Sequence, residues 1–433
     1  MDEKTLLKEL PRAVDAAMEV AQTLFHDLAK NTADTIGVTR APYGPGEQYA
    51  HKLLAETARS LDLEVEVDAA GNTYMTLPGR DRAAPRWFTG SHLDSVPQGG
   101  NYDGAAGVIA GVTALAALKR ARFEPAQDLT VMGIRSEETG SWFTGKHGGH
   151  LGSRMALGLF EPDEFEQTVR VDCGKSLAQV MAECGFDIDK VHRGPPHLKA
   201  SSIKGYLELH IEQGPVLEAK RLPVGVVTSI RGNARLRSGR CIGEYNHGGG
   251  TPQELRRDAV TATSELVVEV DRAWQRLDAQ GRDLVFAFGK FYTDPAAHTL
   301  SKVAGEVNFS LDLRSGDGAV LKEMRELVQA KAAEIGARRQ VSFELGKFSN
   351  TDPCVLDESL RRDLAKGCEL LAIPYMELAS GGGHDAADFA KAGVQSAMIF
   401  VRNAHGSHNA DEGMEMADFA LGTRLLAWMF ATQ

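Results

Sequence analysis

Five side chains able to hold a metal ion recur along this sequence, each beside a segment that reads as the end of a β-strand. His92 stands in Ser91-His92-Leu93-Asp94, directly after the apolar Trp87-Phe88-Thr89. Asp103 lies in Gly99-Gly100-Asn101-Tyr102-Asp103-Gly104, just ahead of a helical stretch. Glu137-Glu138 follow the apolar run Leu129–Ile134, and His210 stands near the end of the alternating run Lys204–Ile211. His408 sits in His405-Gly406-Ser407-His408-Asn409, between the last strand and the last helix. Two kinds of donor, imidazole and carboxylate, suit zinc or a similar divalent ion. The His92-x-Asp94 spacing puts both side chains on one face, where a carboxylate can accept the imidazole's second N–H and fix its tautomer. Glu137, beside Glu138, is then a spare carboxylate and a candidate base.

Taken singly, each residue has an ordinary explanation. His-x-Asp is a common surface or capping pair, Asp103 could cap a helix, and Glu137-Glu138 could be a solvated loop. Their coincidence is the informative feature. All five fall at strand C-termini of one α/β pattern, the edge at which open α/β sheets bind ligands. Other chemistries lack their signatures. HExxH and GxSxG are absent. Gly174-Lys175-Ser176 has Val169 where a phosphate-binding loop needs Gly, and Gly99, Gly100 and Gly104 do not form GxGxxG.

The elements that must position these residues are legible as periodicity. Residues 5–30 and 47–60 read as helices separated by Pro42, Gly44, Pro45 and Gly46. Arg86–Thr89, Leu129–Ile134, Lys204–Ile211 and Ser396–Val401 read as strands; Gly104–Lys119 and Asp411–Thr432 read as helices. In Lys204–Ile211, Leu207, Leu209 and Ile211 share one face and Glu208 and His210 the other. Strands alternating with helices predict an α/β domain with a mixed sheet, discontinuous over residues 1–216 and 348–433. Residues 217–347 carry fewer, longer elements: strands Val224–Ile230, Ala234–Gly243 and Glu306–Asp312, helices Arg256–Leu277 and Ala319–Ile335. That pattern predicts an inserted α+β domain.

Composition bounds the remainder. The 433 residues carry 48 Lys+Arg against 59 Asp+Glu, a net charge of −11, which opposes nucleic acid and anionic membrane surfaces. The longest near-apolar run, Val108–Leu118, is short of the ~18 residues of a membrane span. No export signal is visible, and five scattered cysteines without a CxxC pair read as reduced thiols, so a cytoplasmic location is expected. His26, His51, His147, His150, His192, His197 and His298 are read as structural or solvent-exposed.

With these residues in hand, the chain resembles the hydantoinase/carbamoylase family of dizinc amidohydrolases: N-carbamoyl-L-amino acid hydrolases, β-ureidopropionases and allantoate amidohydrolases. The matching segments, in the family's order, begin with Gly90-Ser91-His92-Leu93-Asp94-Ser95-Val96-Pro97, Gly99–Gly104 and Glu137-Glu138. They continue with His210-Ile211-Glu212-Gln213-Gly214-Pro215, Ser380-Gly381-Gly382-Gly383-His384-Asp385-Ala386 and Ser407-His408-Asn409. The His-Ile-Glu-Gln-Gly-Pro segment resembles this branch rather than the related peptidases.

The resemblance implies two divalent metal ions per subunit, zinc first, with manganese, cobalt or nickel also suited to such ligands. One would be held by His92, Asp103 and His210, the other by Asp103, Glu138 and His408, with Asp103 bridging. Asp94 would orient His92, and Glu137 would carry a proton from a metal-bridging water to the leaving nitrogen. Gln213, His247, Ser301, Arg314, Gly383 and His384 would surround a small-molecule carboxylate substrate. The insert would be a lid and homodimerisation domain whose residues reach a neighbouring subunit's site. Two cations and Arg314 would make the pocket locally positive despite the net charge. The implied activity is hydrolysis of an N-carbamoyl (ureido) amino acid to amino acid, CO2 and ammonia. Alternatives are an allantoate or ureide amidohydrolase of purine breakdown, an aminoacylase or dipeptidase, and a non-catalytic metal-binding scaffold. The chain departs from the family at Gly248 and Gly250 in His247–Pro252, at Ser301 in place of an Asn, at Thr139 and Trp142 after the Glu pair, and at Arg402 and His405. All of these border the substrate pocket, not the metal set.

Overall fold

The computed structural model describes residues 3–145 and 149–433, so His147 lies outside the described residues. Two compact units emerge: Met1–Thr228 with Leu356–Gln433, and Ser229–Val355. These divisions fall later than 217 and 348, because Val224–Ile230 pairs antiparallel with Ser396–Val401 through Val224, Gly225 and Val226.

In the larger unit, the near-continuous apolar runs form the middle of a mixed sheet. Its order is Glu64–Val67, Thr73–Leu77, Leu129–Ile134, Arg86–His92, Ile203–Ile211, Ser396–Val401, Val224–Ile230. The strands of His92, Glu137 and His210 are parallel neighbours, as is Ser396–Val401, so their C-terminal ends share one edge. The alternating strand Ile203–Ile211 is not half-solvated. Glu208 and His210 are as buried as Leu207 and Leu209, because helices cover both faces of parallel strands.

Helix Ala105–Arg120 is buried from Ala105 through Leu118. Its Ala and Gly content follows from that position: a Cβ at Gly107 would lie 2.2 Å from the Leu209 carbonyl oxygen. Helix Glu3–Asn31 presents Leu6, Leu10, Val14, Ala17, Ala21, Leu24 and Leu28 as one stripe into the same core. The closing helix begins at Met416 rather than Asp411. The described residues between 143 and 202 form short helices and two two-residue strands, Phe143–Thr144 paired with Val169–Arg170, with no long periodic pattern to announce them. All five cysteines are free. Among the described residues, no helix is long and apolar enough to cross a membrane.

The smaller unit is an antiparallel sheet, ordered Val285–Tyr292, Glu306–Ser315, Gly232–Ile242, Ser342–Glu344, with helices Ala259–Ala279 and Gly318–Arg339. Burial alternates strictly along Glu306–Ser315. Leu236, Phe309 and Leu311 meet Leu266, Val270, Met324 and Val328 in its core. Glu265 ties the two helices together through Arg339 and Arg338, whose hydrogen bonds pull its carboxyl down to about 2 from 4.5. A depressed folded pKa gives stability that is present above 4.5 and is lost as pH falls through about 2. Glu265→Gln is therefore expected to cost about 1 kcal/mol at pH 7, with the gap from the parent narrowing as pH falls through this range. Urea unfolding at several pH values measures it; a gap independent of pH would contradict the assignment.

Candidate metal and active site

His92 is the last residue of its strand, and the chain turns immediately so that Asp94 is buried beneath the Glu137-Glu138 loop. The Asp94 carboxylate accepts the backbone N–H of Glu137 (3.0 Å) and of Glu138 (2.9 Å). His92 Nδ1 lies 3.1 Å from the Asp94 backbone carbonyl and 3.4 Å from its Oδ1. Asp94 thus positions three residues, two more than the His-x-Asp spacing suggests.

Asp103 does not cap the helix that follows it. The N-cap is Gly104, in a left-handed conformation (φ 66°), where a Cβ would fall 2.4 Å from the His92 ring. The Asp103 carboxylate instead faces three imidazoles. Oδ1 is 3.5 Å from His92 Nε2 and 3.2 Å from His210 Nε2, and Oδ2 is 3.3 Å from His408 Nε2. His408 Nε2 also lies 3.0 Å from Glu138 Oε1. Burial opposes charge on Asp103, yet the His210, His408 and His92 imidazoles beside it hold its carboxyl well below the ordinary carboxylate range. Contact with Asp103 and Glu138 pulls His408 up to about 10, whereas burial pushes Glu138 to about 7.

These donors fit a metal. His92 Nδ1 and His210 Nδ1 each face a backbone carbonyl, of Asp94 and Ile211 (2.8 Å), which can only accept. In the neutral ring the lone pair is then on Nε2, toward Asp103; the Gly104 N–H pointing at His210 Nε2 (3.3 Å) requires the same. The buried Asp103 Oδ1 has no hydrogen-bond partner. The two Nε2 atoms are 3.5 Å apart, so the triangle has edges of 3.2–3.5 Å. Ligands that share a cation about 2.0–2.2 Å from each have this spacing. His92–Asp103–His210 and Asp103–Glu138–His408 are both groups able to hold an ion, and Asp103 belongs to both. The exposed side of the cluster is at His408, whose side chain is 51% accessible.

Around them the structure adds carboxylates that no local motif announces. Glu412 accepts the backbone N–H of Tyr102 (2.9 Å) and Asp103 (3.2 Å), with Ser407 Oγ 2.6 Å from its other oxygen. It lies four residues beyond His408, and that proximity is the only sequence signal for it. Glu208, fully buried, accepts from Ser91 Oγ and from the Ala386 N–H (both 2.8 Å). His150 is not merely structural or exposed: its ring lies between Glu137 (3.1 Å) and Asp388 (2.7 Å). Burial disfavours its charge, but the two carboxylates hold the imidazole well above its usual range.

Of the expected substrate residues, Gln213 is in the cluster. Its Nε2 donates to Asp103 Oδ2 (2.8 Å) and lies 3.3 Å from His408 Nε2. Gly383 is exposed, and a Cβ there would come 3.0 Å from His150 Nε2. His384 is interior, with Nε2 2.8 Å from Ser380 Oγ and its ring edge-on to His210 at 4.5 Å. Burial pushes it well below the ordinary imidazole value. His247, Ser301 and Arg314 belong to the smaller unit. His247 Nδ1 accepts the Gly250 N–H (2.9 Å), the Ser301 carbonyl accepts the Gly248 N–H (2.7 Å), and Arg314 holds Asp312 at 2.9 Å.

The mixed sheet, with a ligand cluster at the C-terminal ends of its parallel strands, gives an α/β fold of the metallo-exopeptidase-like kind. Residues 88–431 match Peptidase family M20/M25/M40, and the chain belongs to that family. It is similar to the allantoate amidohydrolase of Escherichia coli (strain K12), 32% identical over 91% of this chain and 92% of that one. It is equally similar to the N-carbamoyl-L-amino acid amidohydrolase of Geobacillus stearothermophilus, 32% identical over 91% and 94%. The crystal structure of an amidase of the hydantoinase/carbamoylase family from Burkholderia multivorans superposes with a TM-score of 0.85 at 27% identity, covering 96% of this chain and 97% of that one. The chain is accordingly an enzyme, a hydrolase of carbon–nitrogen bonds in linear amides.

Proposed function

We propose that this chain is a two-metal ureido amidohydrolase that releases ammonia and CO2 from an N-carbamoyl amino acid. The observation that carries the reading is the buried, unpartnered Asp103 Oδ1, on a carboxylate shared by two ligand triads with Glu137 beside them. His92, Asp103 and His210 would hold one divalent cation, and Asp103, Glu138 and His408 the other. When bound, such cations lower the pKa of water from 15.7 toward ~7 and polarise a carbonyl oxygen.

The chain's own residues do the rest. Glu137 accepts the proton of the attacking water at Oε2, the oxygen 3.9 Å from His92 Nε2, and returns it to the leaving nitrogen as the C–N bond breaks. Gln213, tied to Asp103 and His408, orients the carbamoyl group at the mouth of the cluster. Arg314, with its planar fork, receives the substrate carboxylate, and His247 and Ser301 are further substrate-binding residues of the same lid and homodimerisation domain. Gly383 leaves the space and His384 supports His210 from behind. The equal identity to an allantoate amidohydrolase favours a second substrate, allantoate, for the same machinery.

The test is hydrolysis by metal-loaded protein, read as ammonia release from N-carbamoyl-L-amino acids, β-ureido acids and allantoate and as release of the free amino acid from N-acetyl-amino acids and dipeptides as contrasts. Turnover confined to ureido compounds is expected. Cleavage of the acetyl compounds or dipeptides instead would overturn the reading.

Asp94 gives a further expectation. Asp94→Ala frees the N–H groups of Glu137 and Glu138 and unseats His92 at one stroke, so metal affinity should fall about 10–100-fold. Competition with a chromophoric chelator measures it, and unaltered affinity would show that Asp94 is dispensable for the ligand set.

A further inference from the structure

Glu137 has two carboxylate oxygens, and the structure treats them differently. Oε2 faces the ligand triads, 3.9 Å from His92 Nε2. Oε1 is turned away and meets His150 Nε2 at 3.1 Å. The other ring nitrogen of His150, Nδ1, lies 2.7 Å from Asp388 Oδ2. Asp388 is itself buried on the short helix Ala386–Lys391. A carboxylate on each side makes both ring nitrogens donors. The backbone holds this ring at some cost: His150 is left-handed (φ 53°, ψ 47°), a conformation rare for a residue with a side chain. Ser136, Gln213 and His408, all around the same cluster, also have positive φ. Gly383 leaves the ring room to stand there.

We propose that His150 is a positioning residue that clamps Oε1 of Glu137, with Asp388 fixing the ring, so that Oε2 alone is presented to the reacting water and the leaving nitrogen. This rests on the assignment of Glu137 as proton carrier. A carboxylate free to rotate would offer either oxygen, and the proton it accepts could settle on the one that cannot reach the substrate. Tying Oε1 leaves one productive geometry, so the clamp acts on the chemical step and not on substrate affinity.

The experiment compares His150→Ala, His150→Gln, His150→Asn and Asp388→Ala with the parent and with Glu137→Gln. It reads kcat, KM, bound metal and melting temperature for metal-loaded protein. His150→Ala should lower kcat about 10–100-fold, with KM within about twofold and the metal content unchanged. His150→Gln can still donate from its amide to Glu137 and should recover part of the loss. His150→Asn reaches only toward Asp388 and should recover none. Combining His150→Ala with Asp388→Ala should be no worse than His150→Ala alone, because Asp388 acts through the ring. A merely structural residue would move melting temperature and kcat alike in both amide variants. Parent-like kcat in His150→Ala, equal kcat in the Gln and Asn variants, or multiplying effects of the Ala pair would overturn the clamp. Should Glu137→Gln itself stay active, the reading of Glu137 fails, whereas an inactive Glu137→Gln beside a fully active His150→Ala removes only the clamp.

Discussion

Glu137→Gln is expected to lower kcat by about 10³-fold, within the range for loss of a general acid–base, without loss of bound metal. The substitution is isosteric and keeps the contacts that place the residue: its backbone N–H still reaches Asp94, and the amide oxygen can still accept from His150. What is lost is the capacity to take a proton at the atom facing the ligand triads. None of the five proposed ligands changes, so metal analysis on the purified variant should match the parent. Activity within about tenfold of the parent would assign proton transfer to another group.

Asp103→Asn should have the larger effect on the metal. Asp103 is the only residue common to both triads, and its two oxygens face three imidazoles between them. An amide is neutral, and its NH2 end turns a donor toward one group of ligands whichever way it rotates. One cation loses its shared ligand outright, and the other keeps only a neutral carbonyl oxygen in place of the carboxylate. Bound metal should fall from two per chain to below one after gel filtration, and turnover by about 10⁴-fold or more, on the order of losing the activated water altogether. Elemental analysis with the ammonia assay checks both. Retention of two equivalents would remove Asp103 from the bridging position.

Much of this site was legible before the fold was known, because strand ends mark themselves in the sequence. The apolar runs before His92 and Glu137, and the strand that carries His210, are buried strands, and their C-terminal ends lie together because they are parallel neighbours. Asp103 was ambiguous. Only the left-handed Gly104 separates a helix cap from a side chain turned toward histidines, and no local pattern reveals that choice. Glu208 reads as one side of an alternating strand, and only the second layer of helices shows that this side is buried too. Glu412 and Asp388 reach the site across more than 200 residues of chain, to Tyr102 and His150, and sequence proximity carries little of that. The contacts of His150 with Glu137 and Asp388 are hidden in the sequence for the same reason. It lies among short helices without periodicity, and its two partners come from elsewhere in the fold.

A pair of cations sharing Asp103 would leave a direct signature in diffraction. Crystals of the zinc-reconstituted protein, measured at the zinc absorption edge, test it most directly. Two anomalous peaks are expected, one bounded by His92, Asp103 and His210 and one by Asp103, Glu138 and His408. A lone peak, or two peaks of which either lies away from Asp103, would contradict it.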